Sequence, residues 1–142
     1  MKMIKPLVIT AALTLSGTPA FADVYVKCNA VLTFNNESNN RTVVYKYDSA
    51  TKRLISSGET RDIMEPTLRN GRLIFVETME ALNHIHTTNL SLEIDPPGAL
   101  LVKFFSKNKR GEYVTVARLE GECKASSEAE FKSAVKAAED ER

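Results

Sequence analysis

The sequence predicts a mostly β domain: an antiparallel meander of seven to eight short strands, rolled into a small barrel or a sandwich and followed by a C-terminal α-helix. Three observations carry this. Apolar and polar residues alternate at period two through most of the chain, which sorts side chains onto the two faces of a sheet. Turn signals separate these runs at close intervals. The only two cysteines, Cys28 and Cys123, fall in the first and last of the runs.

The N-terminus is set apart from this pattern. It reads MKMIKPLVITAALTLSGTPAFA. Lys2 and Lys5 form a positive start, and Leu7 to Leu15 form an apolar stretch too short to span a bilayer. Ala20-Phe21-Ala22 supplies the small-x-small pattern of a signal-peptidase site. The order predicts a cleaved signal peptide over residues 1–22, cut between Ala22 and Asp23. No later apolar run could serve as a membrane anchor. The exported chain then divides into a β domain over residues 23–124 and a helix or tail over residues 125–142. Its expected location is the periplasm or the medium.

The strands follow in order. Val24, Val26, Cys28, Ala30, Leu32 and Phe34 share one phase of the first. The wholly polar stretch from Asn35 to Arg41 reads as a turn, and Val43, Tyr45 and Tyr47 give the next apolar phase. A turn at Asp48 to Lys52 leads into a short return strand from Arg53 to Ser57, which Gly58 breaks. Residues 59–66 carry no clear pattern. Asn70-Gly71 is the preferred pair for a two-residue type I′ hairpin, because both positions need φ > 0. Its register puts Arg69 opposite Arg72, both toward solvent, and Leu68 opposite Leu73. A strand follows from Leu73 to about Leu82, and another carries Leu90, Leu92 and Ile94 on one face. Asp95-Pro96-Pro97-Gly98 ends it, since proline cannot donate to a ladder. Leu100 to Phe105 returns, Lys107 to Gly111 turns, and Tyr113 to Cys123 closes the sheet. In that last strand Tyr113, Thr115, Ala117, Leu119, Gly121 and Cys123 share one phase. Ser127 and Glu130 form a capping box ahead of an Ala-, Glu- and Lys-rich helix, which the sequence docks through Phe131.

Both cysteines lie on apolar phases, and an even count in an oxidising compartment implies a bridge. Cys28–Cys123 is therefore predicted as a structural disulfide. A redox pair would sit closer together, as in C-x-x-C. The bridge makes the first and last strands neighbours and either closes the sheet or ties its edges.

Charge excludes several function classes. Without Lys2 and Lys5 the chain carries 17 basic and 18 acidic residues. It has no basic field for nucleic acid and no polybasic segment for anionic lipid. It also has no tryptophan.

Candidate chemistry is sparse. His84 and His86 would project side by side from a strand, a spacing that can bind zinc or copper, but a stable site needs further ligands. Glu120 and Glu122 share a face and read as a solvated surface. There is no G-x-S-x-G elbow. Lys107 to Arg110 reads as a basic hairpin tip. The expected set is thus no catalytic residues, no metal and no cofactor.

The pattern resembles small exported proteobacterial β-barrel proteins of uncharacterised function. YVKCNAVLTF in the first strand, LSLEID before a turn and a terminal Gly121-Glu122-Cys123 carry that likeness, which implies a small barrel and no activity. Tyr25 with Cys28, and Ser57-Gly58 followed by Arg61, are similar to features of periplasmic C-type lysozyme inhibitors. That likeness implies Ser57 and Arg61 as contact residues. Tyr25 stands one residue too far from Cys28, and the lysine of the second inhibitory loop is missing.

The expected function is a non-enzymatic binding or interaction module, with an unknown protein or a small apolar ligand as partner. A lysozyme-inhibitor-like protein is the first alternative. A hydrolase using His84 or His86, with a hydroxyl and a carboxylate beside one of them, is the second. A packed interior would favour a protein partner, and an open cavity an apolar ligand.

Overall fold

The structure, a computed structural model, describes residues 22–58 and 63–141. The predicted signal segment up to Phe21, and Arg61, lie outside the described residues; Ala22 and Asp23 lie exposed just before the first strand. Nine strands and one helix follow: β1 Val24–Phe34, β2 Glu37–Asp48, β3 Arg53–Ser56, β4 Ile63–Met64, β5 Thr67–Arg69, β6 Arg72–Ala81, β7 His84–Ile94, β8 Pro97–Lys107, β9 Tyr113–Ala125 and α1 Glu128–Asp140.

All neighbouring strands pair antiparallel in one sheet of order β4-β3-β2-β1-β9-β8-β7-β6-β5. The fold is the expected meander, curled into a half-barrel. β1 and β9 are neighbours as the cysteines implied, and Cys28 stands directly opposite Cys123 in a formed disulfide. The bridge does not tie sheet edges, however. It lies at the internal joint, and the edges are the very short β4 and β5, separated only by Glu65 and Pro66.

Local turn chemistry explains the register. Asn35 and Asn36 both have positive φ (50° and 69°), which asparagine tolerates better than most residues. They alone make the β1–β2 turn. The polar stretch after them, expected as a turn to Arg41, is instead the first half of β2, with Glu37 paired to Phe34 and Arg41 to Ala30. β1 supplies the template, so pairing overrides the absence of apolar residues. Asn70-Gly71 gives the expected hairpin with Arg69 opposite Arg72. Arg72 then reaches across to Glu93 of β7 at 2.6 Å, which relieves the like-charge pair. A second two-residue turn, Leu82-Asn83, has φ of 54° and 65° and separates β6 from β7. In β9 the register shifts next to Tyr113. Tyr113 therefore leaves the phase of Ala117 and Leu119 and packs edge-on against Phe105, with ring centroids 5.7 Å apart.

Cross-strand partners share a face, so the ladders define the concave side. Its packed part comprises Val26, Cys28, Ala30, Tyr45, Tyr47, Leu54, Leu73, Leu90, Leu92, Ile94, Leu100 and Cys123. Gly121 has no side chain because β1 passes directly over it: a Cβ there would collide with the Asn29 carbonyl and the Ala30 backbone. The helix lies on the other, convex face. Phe131 sits 6.0 Å from Tyr25, ring to ring, and α1 packs against β2. Ser127 caps it by accepting the Glu130 N–H at 3.1 Å. The Glu130 carboxylate accepts from the Ser126 hydroxyl at 2.7 Å, so the capping box forms with a shifted partner.

Candidate functional site

The concave face is filled at one end and open at the other. At the filled end Tyr45 and Tyr47 share one buried cluster with Leu73, Leu92 and Leu100. Toward the β1–β2 turn the same phase of β2 reads Glu37, Asn39 and Arg41, all exposed. These residues add no apolar side chain to the core.

The open end is an apolar trough of about 710 Å³. Leu32, Leu119, Val102 and Phe75 form its inner end, and Phe104 and Met79 extend it outward. The ladders place Leu32 beside Leu119, Leu119 beside Val102, and Val102 beside Leu90, which is itself beside Phe75. Phe104 is 50% and Met79 52% exposed, high for large apolar side chains on the core-facing side of a sheet. Met64 and Glu65 of the β4–β5 seam line the facing side.

Four charged side chains also line the trough: Arg53, Glu65, Glu77 and Arg118. Arg53 and Glu65 pair with each other at 3.5 Å. Arg118 pairs with Glu120 at 3.3 Å. Glu77 stands between Phe75 and Met79 on the floor, with no ion pair among the described residues. Thr88 lies opposite it on β7.

The histidines sit just beyond the outer end, on the same face. His86 lies between Met79 of β6 and Ser106 of β8. Its Nδ1 is 2.7 Å from the Ser106 hydroxyl and its Nε2 is 3.3 Å from the Ala81 carbonyl. A carbonyl can only accept, so Nε2 carries the proton and the Ser106 hydroxyl donates to Nδ1. This supplies one element of a hydrolase arrangement, a hydroxyl on a histidine. The other element differs: a backbone carbonyl, not a carboxylate, orients the ring. Ser106 is also buried, away from an approaching substrate. His84 stacks beside His86 at 6.1 Å between ring centroids. Among the described residues no three His, Cys, Asp or Glu side chains converge as metal ligands.

The other candidates are dispersed. Ser57 is buried, accepts the Val44 N–H on its hydroxyl at 2.9 Å, and returns its own N–H to the Val44 carbonyl at 3.0 Å. It is a strand-end clip, with its hydroxyl on its own backbone. Tyr25 faces the helix. Glu120 and Glu122 are exposed and share the phase opposite the core. The loop Asn108 to Glu112 is held by its own hydrogen bonds, with the Asn108 side chain accepting the Arg110 and Glu112 N–H groups at 2.9 and 3.0 Å.

No protein-family model, curated protein or solved structure matches this chain. The site is therefore defined by its own geometry. The trough residues escaped sequence reasoning because alternation reports which face a residue takes and says nothing about whether another strand covers it.

Proposed function

We propose that this protein is an exported, non-enzymatic binding module that takes an apolar, chain-like guest into the trough. The observation that carries this is the half-exposed Phe104 and Met79, aligned with Phe75 and Val102 on one concave floor. Covering a large apolar side chain contributes about 1.5–3 kcal/mol for full burial, and about half that from half exposure. Several such side chains lie in one line, so one extended guest covers them together. Export is supported by the leader pattern and by the disulfide, which suits an oxidising compartment. The non-enzymatic part is supported by the buried Ser106 and by the carbonyl that occupies the third position beside His86.

The test is titration with N-phenyl-1-naphthylamine, an uncharged fluorescent probe that brightens in apolar surroundings. Wild-type protein is expected to enhance and blue-shift its emission. Phe104→Asp and Met79→Asp, both at half-exposed positions, should remove the enhancement while leaving the circular dichroism unchanged. Equal enhancement by wild type and both variants would overturn the assignment of the trough.

A further inference from the structure

β6 is ten residues long, but β5 covers only its first three, Arg72 to Ile74. Pro66, just before β5, has no N–H for a ladder and stops the pairing there. From Phe75 to Ala81, β6 pairs with β7 on one side and with no strand among the described residues on the other.

The two turns that bound β6 fix which backbone groups face the side away from β7. Residues that flank a two-residue hairpin turn form a hydrogen-bonded pair. Arg69 and Arg72 flank Asn70-Gly71, so alternate residues Val76, Thr78 and Glu80 aim N–H and C=O the same way as Arg72, toward β5's side. Ala81 and His84 flank Leu82-Asn83, so Met79, Glu77 and Phe75 aim theirs at β7. The two turns agree. Among the described residues no strand meets the donors and acceptors of Val76, Thr78 and Glu80 on that side.

Open edges are commonly blunted by charged side chains, proline or a bulge. This stretch, FVETMEA, has no proline and its ladder to β7 runs without a register shift; its only charges are acidic, Glu77 and Glu80. The first half of β2, also left unpaired by β3, is polar throughout. On β6, Phe75 and Met79 line the trough, and Val76 on the other face is 64% exposed. Glu77 and Glu80 are without ion pairs among the described residues.

We infer that β6 is a strand-addition site: an extended polypeptide segment of a partner pairs antiparallel along residues 75–80 and lays alternate side chains on the trough floor. This rests on the trough being the binding surface. A polypeptide satisfies both features of the place, because its main chain meets the N–H and C=O groups of Val76, Thr78 and Glu80 while its side chains cover the apolar floor. Charge sets its sequence. Basic residues belong opposite Glu77 and Glu80, and apolar ones opposite Phe75, Val76 and Met79. From its N-terminus the complementary segment reads Lys-Leu-Thr-Lys-Val-Leu.

The test uses the folded, disulfide-bonded protein and that peptide, blocked at both ends. Hydrogen exchange by NMR is expected to slow at least tenfold for the Val76, Thr78 and Glu80 amides at saturating peptide. A peptide N-methylated on the three residues opposite them should bind at least tenfold more weakly. Thr78→Pro removes a donor that faces away from β7, so the ladder to β7 survives; it should lose the peptide and keep the fluorescent probe. Peptide that displaces the probe without protecting those amides, or N-methylated peptide that binds equally well, would overturn strand addition and leave the trough assignment standing. Failure of both peptide and probe to bind wild type would overturn both.

Discussion

Replacing both bridge cysteines, Cys28→Ala with Cys123→Ala, should leave a folded but much less stable protein. The two residues are 95 apart in sequence, so the bridge closes nearly the whole domain into a loop. The chain-entropy model gives about 4.6 kcal/mol for such a loop, acting by restricting the unfolded chain. The folded state loses less. β1 and β9 pair from Val26 with Ala125 to Phe34 with Ala117, and those hydrogen bonds remain. The missing sulfur atoms add a small cavity term, since Cys28 is fully buried. Against a total stability of about 6–15 kcal/mol for a domain of this size, the loss is large without being fatal. It corresponds to a fall in Tm of roughly 15–25 °C. Urea unfolding followed by circular dichroism measures it. The variant's m-value should rise, because an unbridged unfolded chain exposes more surface, so both midpoint and slope must be read. Reduction of wild type by dithiothreitol should give the same loss. A loss below about 1 kcal/mol with an unchanged m-value would refute the entropic account and assign the stability of the β1–β9 joint to its ladder alone.

Two further outcomes follow from the same joint and from the turns. Gly121→Ala drives a methyl group into the Asn29 carbonyl and the Ala30 backbone, atoms that cannot swing aside, so a loss of about 1–3 kcal/mol is expected from overpacking; a neutral result in urea would show that β1 and β9 separate freely. Acid should also weaken the fold. Glu93 is held below its ordinary value by the Ala99 N–H and by Arg72, Glu130 by the Ser126 hydroxyl and Lys27, and Asp48 by the Thr51 N–H. Such carboxylates take up protons more readily when the chain unfolds, so their stabilisation is present above their ordinary pKa of about 4 and is lost as pH falls through the lower folded values. Tm should therefore hold between pH 7 and 5 and fall below about 4, and Glu93→Gln should flatten that acid limb; an unaltered limb would show that Glu93 carries none of it.

Much of this fold was legible because its determinants are local. Period two in Val26, Cys28 and Ala30, and in Leu90, Leu92 and Ile94, assigns their face without reference to any partner. Asn70-Gly71 fixes its register because two positive φ values exclude most other residue pairs. Ser127 marks the helix start through its side chain alone. The strand of Glu37 to Arg41 was not legible, because its partner β1 imposes extension on residues with no apolar pattern of their own. The Tyr113 phase was not legible either, since one register shift inverts every assignment beyond it.

The sequence by itself determined the class of the fold, the pairing of Cys28 with Cys123 and the side of the sheet taken by the apolar residues of the regular strands, such as Val26, Cys28, Leu90 and Leu92. Only the tertiary structure decided that the sheet stops at a half-barrel, that the disulfide joins inner strands, and that Phe104 and Met79 remain uncovered. The reason is physical: alternation is a property of one strand, whereas burial depends on what crosses over it. Here Tyr45 and Tyr47 join the buried cluster at one end, whereas Phe104 and Met79 stay half-exposed at the other.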